Sequence, residues 1–151
     1  MNLIKGSRWI LLVEDSDTDY ETTIRAFKKA KMANPIKRCE DGQEALDYLF
    51  QKNQYANPEE SPRPELILLD LNLPGIDGRE VLQEVKMDLS LRTIPIIVLT
   101  TSSDPVDIQK CYQAGANTFI HKPVNLPGFF EAIQRLKDYW FEVALLPVEK
   151  K

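Results

Sequence analysis

Acidic, hydroxyl and ammonium side chains stand directly after the short apolar runs of this 151-residue chain. Glu14 and Asp15 follow the first run, Asp70 the third, Thr100 the fourth and Lys122 the fifth. Three carboxylates gathered at one place would repel one another, and burial would increase that repulsion. A hard divalent cation such as Mg²⁺ relieves the repulsion, because it takes oxygen ligands and keeps several waters.

Asp70 is the central carboxylate of this set. A cation, the Lys122 ammonium and the Thr100 hydroxyl around it would suit a phosphoryl group, since they would neutralise its equatorial oxygens during transfer. Asp70 is therefore the candidate nucleophile that forms an aspartyl phosphate. Taken singly, these residues have simpler explanations: acidic residues at strand ends are usually solvated turn residues, and Gly75 and Gly78 serve the turn backbone after Asp70.

The strands that would position these residues follow from hydrophobic patterning. Apolar runs alternate with helical patterns and lie at residues 9–13, 36–39, 66–69, 96–99 and 118–120. The first, third and fourth runs are continuously apolar, which is typical of strands buried on both faces of a parallel sheet. The pattern predicts an α/β protein with a doubly wound, five-stranded parallel sheet and helices on both faces. The functional crevice of such a sheet lies beyond the carboxyl ends of its strands.

Two of the predicted helices have informative ends. The first is predicted to begin at a cap, Ser16 or Asp17, and to end near Pro35, because proline disfavours helix in the residue before it. The last helix carries an apolar stripe formed by Phe129, Ile133, Leu136 and Trp140. The segment 139–146 leaves two interpretations open, a wide helix face that packs on the sheet or an exposed interface.

Composition limits the class of protein. The chain has 19 Lys and Arg against 23 Asp and Glu, and this net charge of −4 argues against nucleic-acid binding. The run at residues 9–13 is too short to span a membrane, which takes about 20 apolar residues. Two cysteines, Cys39 and Cys111, cannot form a disulfide framework and are interpreted as small buried hydrophobes in a cytoplasmic protein. The single histidine, His121, is interpreted as a structural or surface residue.

The motifs at residues 13–16, 69–78, 98–100 and 122–123 resemble those of bacterial two-component response regulators, in their receiver domains. The resemblance covers about residues 9–140, and the order of the motifs, each at the end of its own strand, makes it specific. It implies a flavodoxin-like fold with strand order 2-1-3-4-5. It also implies a division into an N-terminal extension at 1–7, a receiver domain at 8–141 and a C-terminal tail at 142–151.

The resemblance assigns a role to each candidate residue. Asp70 would be the phosphoacceptor. Mg²⁺ would be bound directly by Asp15 and Asp70, through water by Glu14, and by the backbone carbonyl of Asn72. Thr100 would contact the phosphoryl group and shift toward it on activation, and Lys122 would pair with both that group and Asp70.

Three further positions are implied by the same resemblance. Phe119 stands where the family has its aromatic switch, often Tyr, and its ring has no hydroxyl to donate. The peptide into Pro123 would be cis, which proline commonly permits. Asn72 and Ser102 would tune dephosphorylation, so that hydrolysis is neither extremely fast nor blocked.

Within the family, the chain resembles stand-alone, Rcp-type regulators that partner cyanobacterial phytochrome histidine kinases. This rests on the proline-rich loop before the third strand, the run at residues 99–103 and the aromatic C-terminal end. The implied partners are a phytochrome-type kinase and an effector or onward phosphotransfer protein. Residues 142–151 are too few for an effector domain. A homodimer through the fourth helix, fifth strand, fifth helix and C-terminal segment would suit the family.

Two other functions of this architecture fit the sequence less well. A haloacid-dehalogenase-type phosphohydrolase needs a second aspartate two residues after its nucleophile, and this chain has Asn72 there. A flavodoxin-type cofactor module needs backbone donors for a phosphate after the first strand. Glu14 and Asp15 occupy that place and would repel the phosphate. We therefore expect a signalling receiver whose only chemistry is Mg²⁺-dependent self-phosphorylation and slow autodephosphorylation.

Overall fold

The computed structural model describes residues 9–101, 104–122 and 126–140. Strands and helices alternate through these residues in the order β1 (Ile10–Val13), α1 (Asp17–Lys29), β2 (Ile36–Cys39), α2 (Gly42–Phe50), β3 (Leu66–Leu69), α3 (Gly78–Met87), β4 (Ile96–Thr100), α4 (Pro105–Gln113), β5 (Thr118–His121) and α5 (Leu126–Trp140). All neighbouring strands pair in parallel, in the order β2-β1-β3-β4-β5. The predicted α/β fold and its strand order are confirmed.

Alternate residues of each central strand face opposite sides of the sheet. In β1, Leu11 and Val13 join a core cluster that includes buried residues of α2, α3 and α4. Ile10 and Leu12 join a second cluster with residues of α1 and α5. Because successive strand side chains point to opposite faces, a strand covered on both sides must be apolar throughout. This is why the first, third and fourth runs lack polar alternation.

Helices α1 to α4 begin at acidic or hydroxyl capping residues, close to the carboxyl edge of the sheet. The Ser16 hydroxyl accepts a hydrogen bond from the backbone N–H of Asp19 at 3.1 Å, which confirms Ser16 as the cap of α1. Asp41, Asp77 and Asp104 cap α2, α3 and α4 in the same way. Each of the strands β1 to β4 is therefore followed by a helix whose first turn is hydrogen-bonded to a capping side chain.

The predicted end of α1 is wrong. The helix stops at Lys29, because Lys31 adopts a left-handed backbone with φ of 60°. Its N–H donates to the carbonyl of Lys28, and the N–H of Met32 donates to the carbonyl of Phe27, both at 3.0 Å. These two bonds satisfy carbonyls that the helix end would leave without partners. Pro35 has no part in ending the helix.

The proline-rich loop before β3 contains two short 3-10 helices, Asn53–Tyr55 and Pro58–Glu60. Tyr55 is buried, and the Tyr48 hydroxyl donates to the carbonyl of Pro62 at 2.6 Å. The loop therefore packs on α2, although its sequence is mostly polar.

Some of the remaining predictions concern residues that the structure describes, and others concern residues outside the described ranges. Both cysteines are buried without a disulfide, as predicted, and Phe129, Ile133 and Leu136 face the core. The side chain of Trp140, the N-terminal extension, Ser102, Pro123 with its peptide bond, and residues 141–151 lie outside the described part. Within that part, none of the helices combines the length and the hydrophobicity needed to cross a membrane.

Candidate functional site at the carboxyl edge of the sheet

Three carboxylates meet where β1 and β3 end. The two strands pair with Val13 opposite Leu69, so the residues that follow them emerge side by side. Oxygen atoms of Glu14, Asp15 and Asp70 all lie within 4.8 Å of one another. Glu14 and Asp70 are buried, whereas Asp15 is exposed. The predicted acidic cluster therefore forms, with one open side.

The Lys122 ammonium lies between carboxylates from three elements. Its Nζ donates to Oε1 of Glu14 at 2.7 Å and to Oδ2 of Asp70 at 3.3 Å. The Lys122 side chain is only 4 % exposed. This cation supplies charge compensation that buried carboxylates require.

Asp19 completes the shell around Lys122, and the sequence interpretation did not include it. Its Oδ2 accepts from Lys122 Nζ at 2.8 Å, and its side chain is 41 % exposed. The available signal was its position in the first turn of α1, four residues after Asp15, on a helix that begins at the site. Acidic residues are common in a first helical turn for reasons unrelated to any site.

Arg38 is a second residue that the sequence interpretation missed. Its Nε donates to the backbone carbonyl of Glu14 at 3.0 Å, and its Nη1 pairs with Asp17 at 2.9 Å. The guanidinium also lies over the Tyr20 ring, 4.6 Å from its centroid. Arg38 thereby ties the turn between β1 and α1, which carries Glu14 and Asp15, to the edge strand β2.

The electrostatics of the site follow from burial and pairing. Burial raises the pKa of Glu14 to about 7, and the hydrogen bond from Lys122 lowers it only in part. Burial alone would lower the pKa of the Lys122 ammonium, but its hydrogen bonds to Asp19 and Glu14 raise it above the usual value. Lys122 is therefore a permanent cation in this site.

Asn72 and Thr100 frame the other side of Asp70. The backbone N–H of Asn72 donates to Oδ1 of Asp70 at 3.1 Å, and its side-chain amide is 3.4 Å from the Thr100 hydroxyl oxygen. Thr100 is fully buried at the end of β4, and its carbonyl accepts from the Lys122 N–H at 2.6 Å. The structure thus brings Asp70, Thr100 and Lys122 together, as predicted from their positions at strand ends, and places Asn72 beside Asp70 and Thr100.

Phe119 and His121 lie on β5, the outermost strand of the sheet on this side of the site. Phe119 is half-buried and packs against the core cluster on the side of α2, α3 and α4. Its backbone N–H donates to the Tyr112 hydroxyl of α4 at 3.0 Å. His121 is exposed and its Nε2 is 2.9 Å from the carbonyl of Thr101, in keeping with a structural or surface residue.

The donor set suits a hard divalent cation. Glu14, Asp15 and Asp70 offer only carboxylate oxygens, which are the protein ligands that Mg²⁺, Ca²⁺ and Mn²⁺ prefer. The exposed Asp15 leaves a side of the cluster open to water, and a magnesium ion retains several water ligands. The residues present therefore fit a divalent metal.

Comparison with known proteins gives the family. The sequence model of the response regulator receiver domain matches residues 10–134. The chain belongs to the family of response regulator receiver domains, proteins of two-component signalling.

Within this family, the chain is similar to response regulators of cyanobacteria. Response regulator Rcp1 of Synechocystis sp. strain PCC 6803 is 41 % identical over 138 residues, which are 91 % of this chain and 92 % of Rcp1. The crystal structure of the Mn²⁺-bound form of Rcp1 superposes with a TM-score of 0.85 at 40 % identity, covering 93 % of this chain and 99 % of that one. The structure of the phosphorylated cyanobacterial phytochrome response regulator RcpA gives 0.87 at 40 % identity, with the same coverage. The predicted likeness to phytochrome response regulators is confirmed.

Proposed function

We propose that Asp70 accepts a phosphoryl group from a phosphohistidine of a histidine kinase. The observation that carries this proposal is the position of Asp70, buried between the Lys122 ammonium at 3.3 Å and the Asn72 N–H at 3.1 Å. An oxygen of Asp70 attacks phosphorus, the P–N bond of the phosphohistidine breaks, and the imidazole nitrogen leaves with the bonding electron pair. Lys122 and the Thr100 hydroxyl donate to phosphoryl oxygens of the product.

The proposed cofactor is Mg²⁺, held by Asp15, Asp70 and the backbone carbonyl of Asn72, with Glu14 acting through water. The relative Rcp1 binds Mn²⁺ in its crystal structure, which supports a divalent ion in the same class of site. When bound, such an ion neutralises negative charge on the phosphoryl oxygens.

The test of this chemistry is intact-mass measurement after incubation with acetyl phosphate, with and without Mg²⁺. Wild-type protein is expected to gain one phosphoryl group only when Mg²⁺ is present, and Asp70→Asn to gain none. Asp17→Asn is the matched control, because Asp17 follows the cluster residues Glu14 and Asp15 in sequence but pairs with Arg38 outside the carboxylate cluster. Equal labelling of Asp70→Asn and wild type would overturn the assignment of Asp70.

We further propose that phosphorylation acts through Thr100 and Phe119. Thr100 moves toward the phosphoryl group, and the Phe119 ring follows by packing alone because it has no hydroxyl to donate. The proposal also includes a cis peptide into Pro123 and a slow autodephosphorylation that Asn72 and Ser102 tune. Two states would then differ in their affinity for the phosphoryl group, which shifts their populations.

The proposed signalling partners are a phytochrome-type histidine kinase and a downstream effector or phosphotransfer protein in the cytoplasm, with residues 8–141 as the signalling domain. The names of the relatives support the kinase class. A faster phosphotransfer from a phytochrome-type kinase of the same organism than from its other histidine kinases is the expected result. Equal phosphotransfer rates from all these kinases would contradict the proposal of a phytochrome-type partner.

A homodimer through α4, β5, α5 and the C-terminal segment completes the proposal. Val106 and Tyr112 on α4 and Tyr139 on α5 are large apolar side chains that are about half exposed. The proposal requires these side chains to form part of a contiguous apolar patch, which is typical of interfaces. Sedimentation of both phosphorylation states tests it, and a monomer in both states would contradict it.

A further inference from the structure

We propose that Asp19 is a positioning residue that holds Lys122 in the unphosphorylated protein. When Asp70 is phosphorylated, Asp19 releases Lys122, which then pairs with the phosphoryl group. This inference rests on the proposed function, because it concerns the step at which Lys122 meets the phosphoryl group. It adds a residue outside the acceptor, the metal ligands and the hydroxyl switch.

The hydrogen-bond count of Lys122 requires an exchange. An ammonium has three N–H donors, and its three carboxylate partners are Glu14 at 2.7 Å, Asp19 at 2.8 Å and Asp70 at 3.3 Å. In the phosphorylated state Lys122 pairs with a phosphoryl oxygen as well as with Asp70. One of the other two carboxylates must therefore give up its donor.

Burial decides which carboxylate is released. The Glu14 side chain is 1 % exposed, so losing its bond to Lys122 would leave a buried carboxylate without its strongest partner. The Asp19 side chain is 41 % exposed, so water can replace the ammonium there at small cost. Asp19 is the partner that exchanges.

The backbone of Asp19 is held, so the exchange requires only a side-chain movement. Its N–H donates to the Ser16 hydroxyl at 3.1 Å, and its carbonyl accepts from the Thr23 hydroxyl at 2.8 Å. Release of Lys122 therefore turns a paired carboxylate at the start of α1 into a solvated one. The phosphorylated protein would carry an additional unpaired negative charge at this place.

The test is the affinity for beryllofluoride, a phosphoryl analogue, at saturating Mg²⁺ in Asp19→Asn, Asp17→Asn and wild type. Asp19→Asn removes a competitor for Lys122, and we expect it to bind the analogue about threefold more tightly, the size of a partly exposed ion pair. Asp17→Asn is the matched control, since it removes the same charge from the same helical turn. The native Asp17 pairs with Arg38 and not with Lys122, and its side chain is 85 % exposed. The affinity of Asp17→Asn is expected to match that of wild type.

A second measurement follows the carboxylate itself. The ¹³C signal of the Asp19 carboxylate is expected to move toward the value of a solvated aspartate when beryllofluoride is added to wild type. An unmoved signal, or equal tightening by Asp17→Asn and Asp19→Asn, overturns the role of Asp19 while leaving Asp70 as acceptor. Failure of wild type to bind the analogue overturns the proposed function, and this inference with it.

Discussion

Lys122 and Glu14 form a buried ion pair, with Nζ and Oε1 2.7 Å apart across 108 residues of sequence. Glu14 follows β1 and Lys122 follows β5, and β3 and β4 lie between these strands in the sheet. The pair therefore crosses the whole crevice at the carboxyl edge. It stabilises the carboxylate cluster by supplying the positive charge that a divalent ion would otherwise provide.

Replacing Lys122 with methionine is expected to lower the free energy of unfolding without metal by about 3 kcal/mol, because it leaves buried carboxylates without their cation. The same change is expected to tighten Mg²⁺ binding, since a like charge next to the ion is removed. Urea unfolding and Mg²⁺ titration measure the two effects. Lys110→Met, on the exposed surface of α4, is the control and should change neither. Unchanged Mg²⁺ affinity in Lys122→Met would show that Lys122 and the metal do not compete.

Mg²⁺ affinity is expected to fall as the pH is lowered through 7. Burial raises the pKa of Glu14 to about 7, and the metal favours the ionised carboxylate. Below that pH the ion must displace a proton, so affinity drops by up to about tenfold per pH unit, whereas above pH 8 it becomes constant. Calorimetric titration between pH 6 and 8 measures the slope. Glu14→Gln should bind more weakly but with a flatter profile, and an equal slope in both proteins would exclude Glu14 as its source.

The fold and the first layer of the site could be predicted because both follow from local pattern. Continuously apolar runs define buried parallel strands, and the carboxyl ends of such strands necessarily meet, which brings Glu14, Asp70, Thr100 and Lys122 together. Asp19 and Arg38 could not be found in the same way. Their roles depend on partners 103 and 24 residues away, and nothing in the local sequence separates them from ordinary surface charges.

The end of α1 failed to be predicted for a different reason. Glycine is the usual residue where a helix ends in the left-handed region, and the chain has Lys31 there with φ of 60°. The bonds to the carbonyls of Phe27 and Lys28, together with burial of Met32, determine the turn in place of residue preference.

Lys31→Gly is therefore expected to raise the free energy of unfolding by up to about 1 kcal/mol, because glycine adopts the left-handed backbone without steric cost. Lys28→Gly, inside the helix three residues earlier, should instead lower it by about 1 kcal/mol. Urea unfolding of the two variants gives both values. If Lys31→Gly lowered the free energy of unfolding instead, the Lys31 side chain would stabilise the fold by more than its left-handed backbone destabilises it.

Gly78 is expected to be a glycine on which the backbone of the acceptor loop depends. A Cβ at this position would meet the backbone carbonyl oxygen of Asp70 and lie 2.7 Å from the Cα of Leu71, so alanine must push α3 away from the acceptor. Gly78→Ala should cost about 2 kcal/mol of stability and slow phosphorylation by acetyl phosphate. Gly75 has φ of 69° and nothing within 4 Å of an added Cβ. Gly75→Ala should therefore cost about 1 kcal/mol and leave the phosphorylation rate unchanged. Equal phosphorylation rates in both variants would contradict the role of Gly78.

The Arg79 guanidinium connects the start of α3 to α4, and this connection is expected to stabilise the position of α4. Its Nε and Nη2 donate to both carboxylate oxygens of Asp107 at 3.1 and 2.8 Å, and its Nη1 also pairs with Asp77. A double-mutant cycle of Arg79→Gln and Asp107→Asn should give a coupling of about 0.5–1 kcal/mol, since Arg79 is 36 % exposed and partly screened. Amide exchange in α4 should accelerate in both single variants.

The control for this cycle is the ion pair of Arg135 and Glu131 on α5. Their 3.5 Å contact is single rather than bidentate, and the two side chains are 79 and 69 % exposed. Its coupling should be close to zero and should vanish at high salt, because exposed pairs are screened. If the two cycles gave the same coupling, the bidentate geometry would add nothing, and α4 would be positioned by its apolar contacts with the sheet alone.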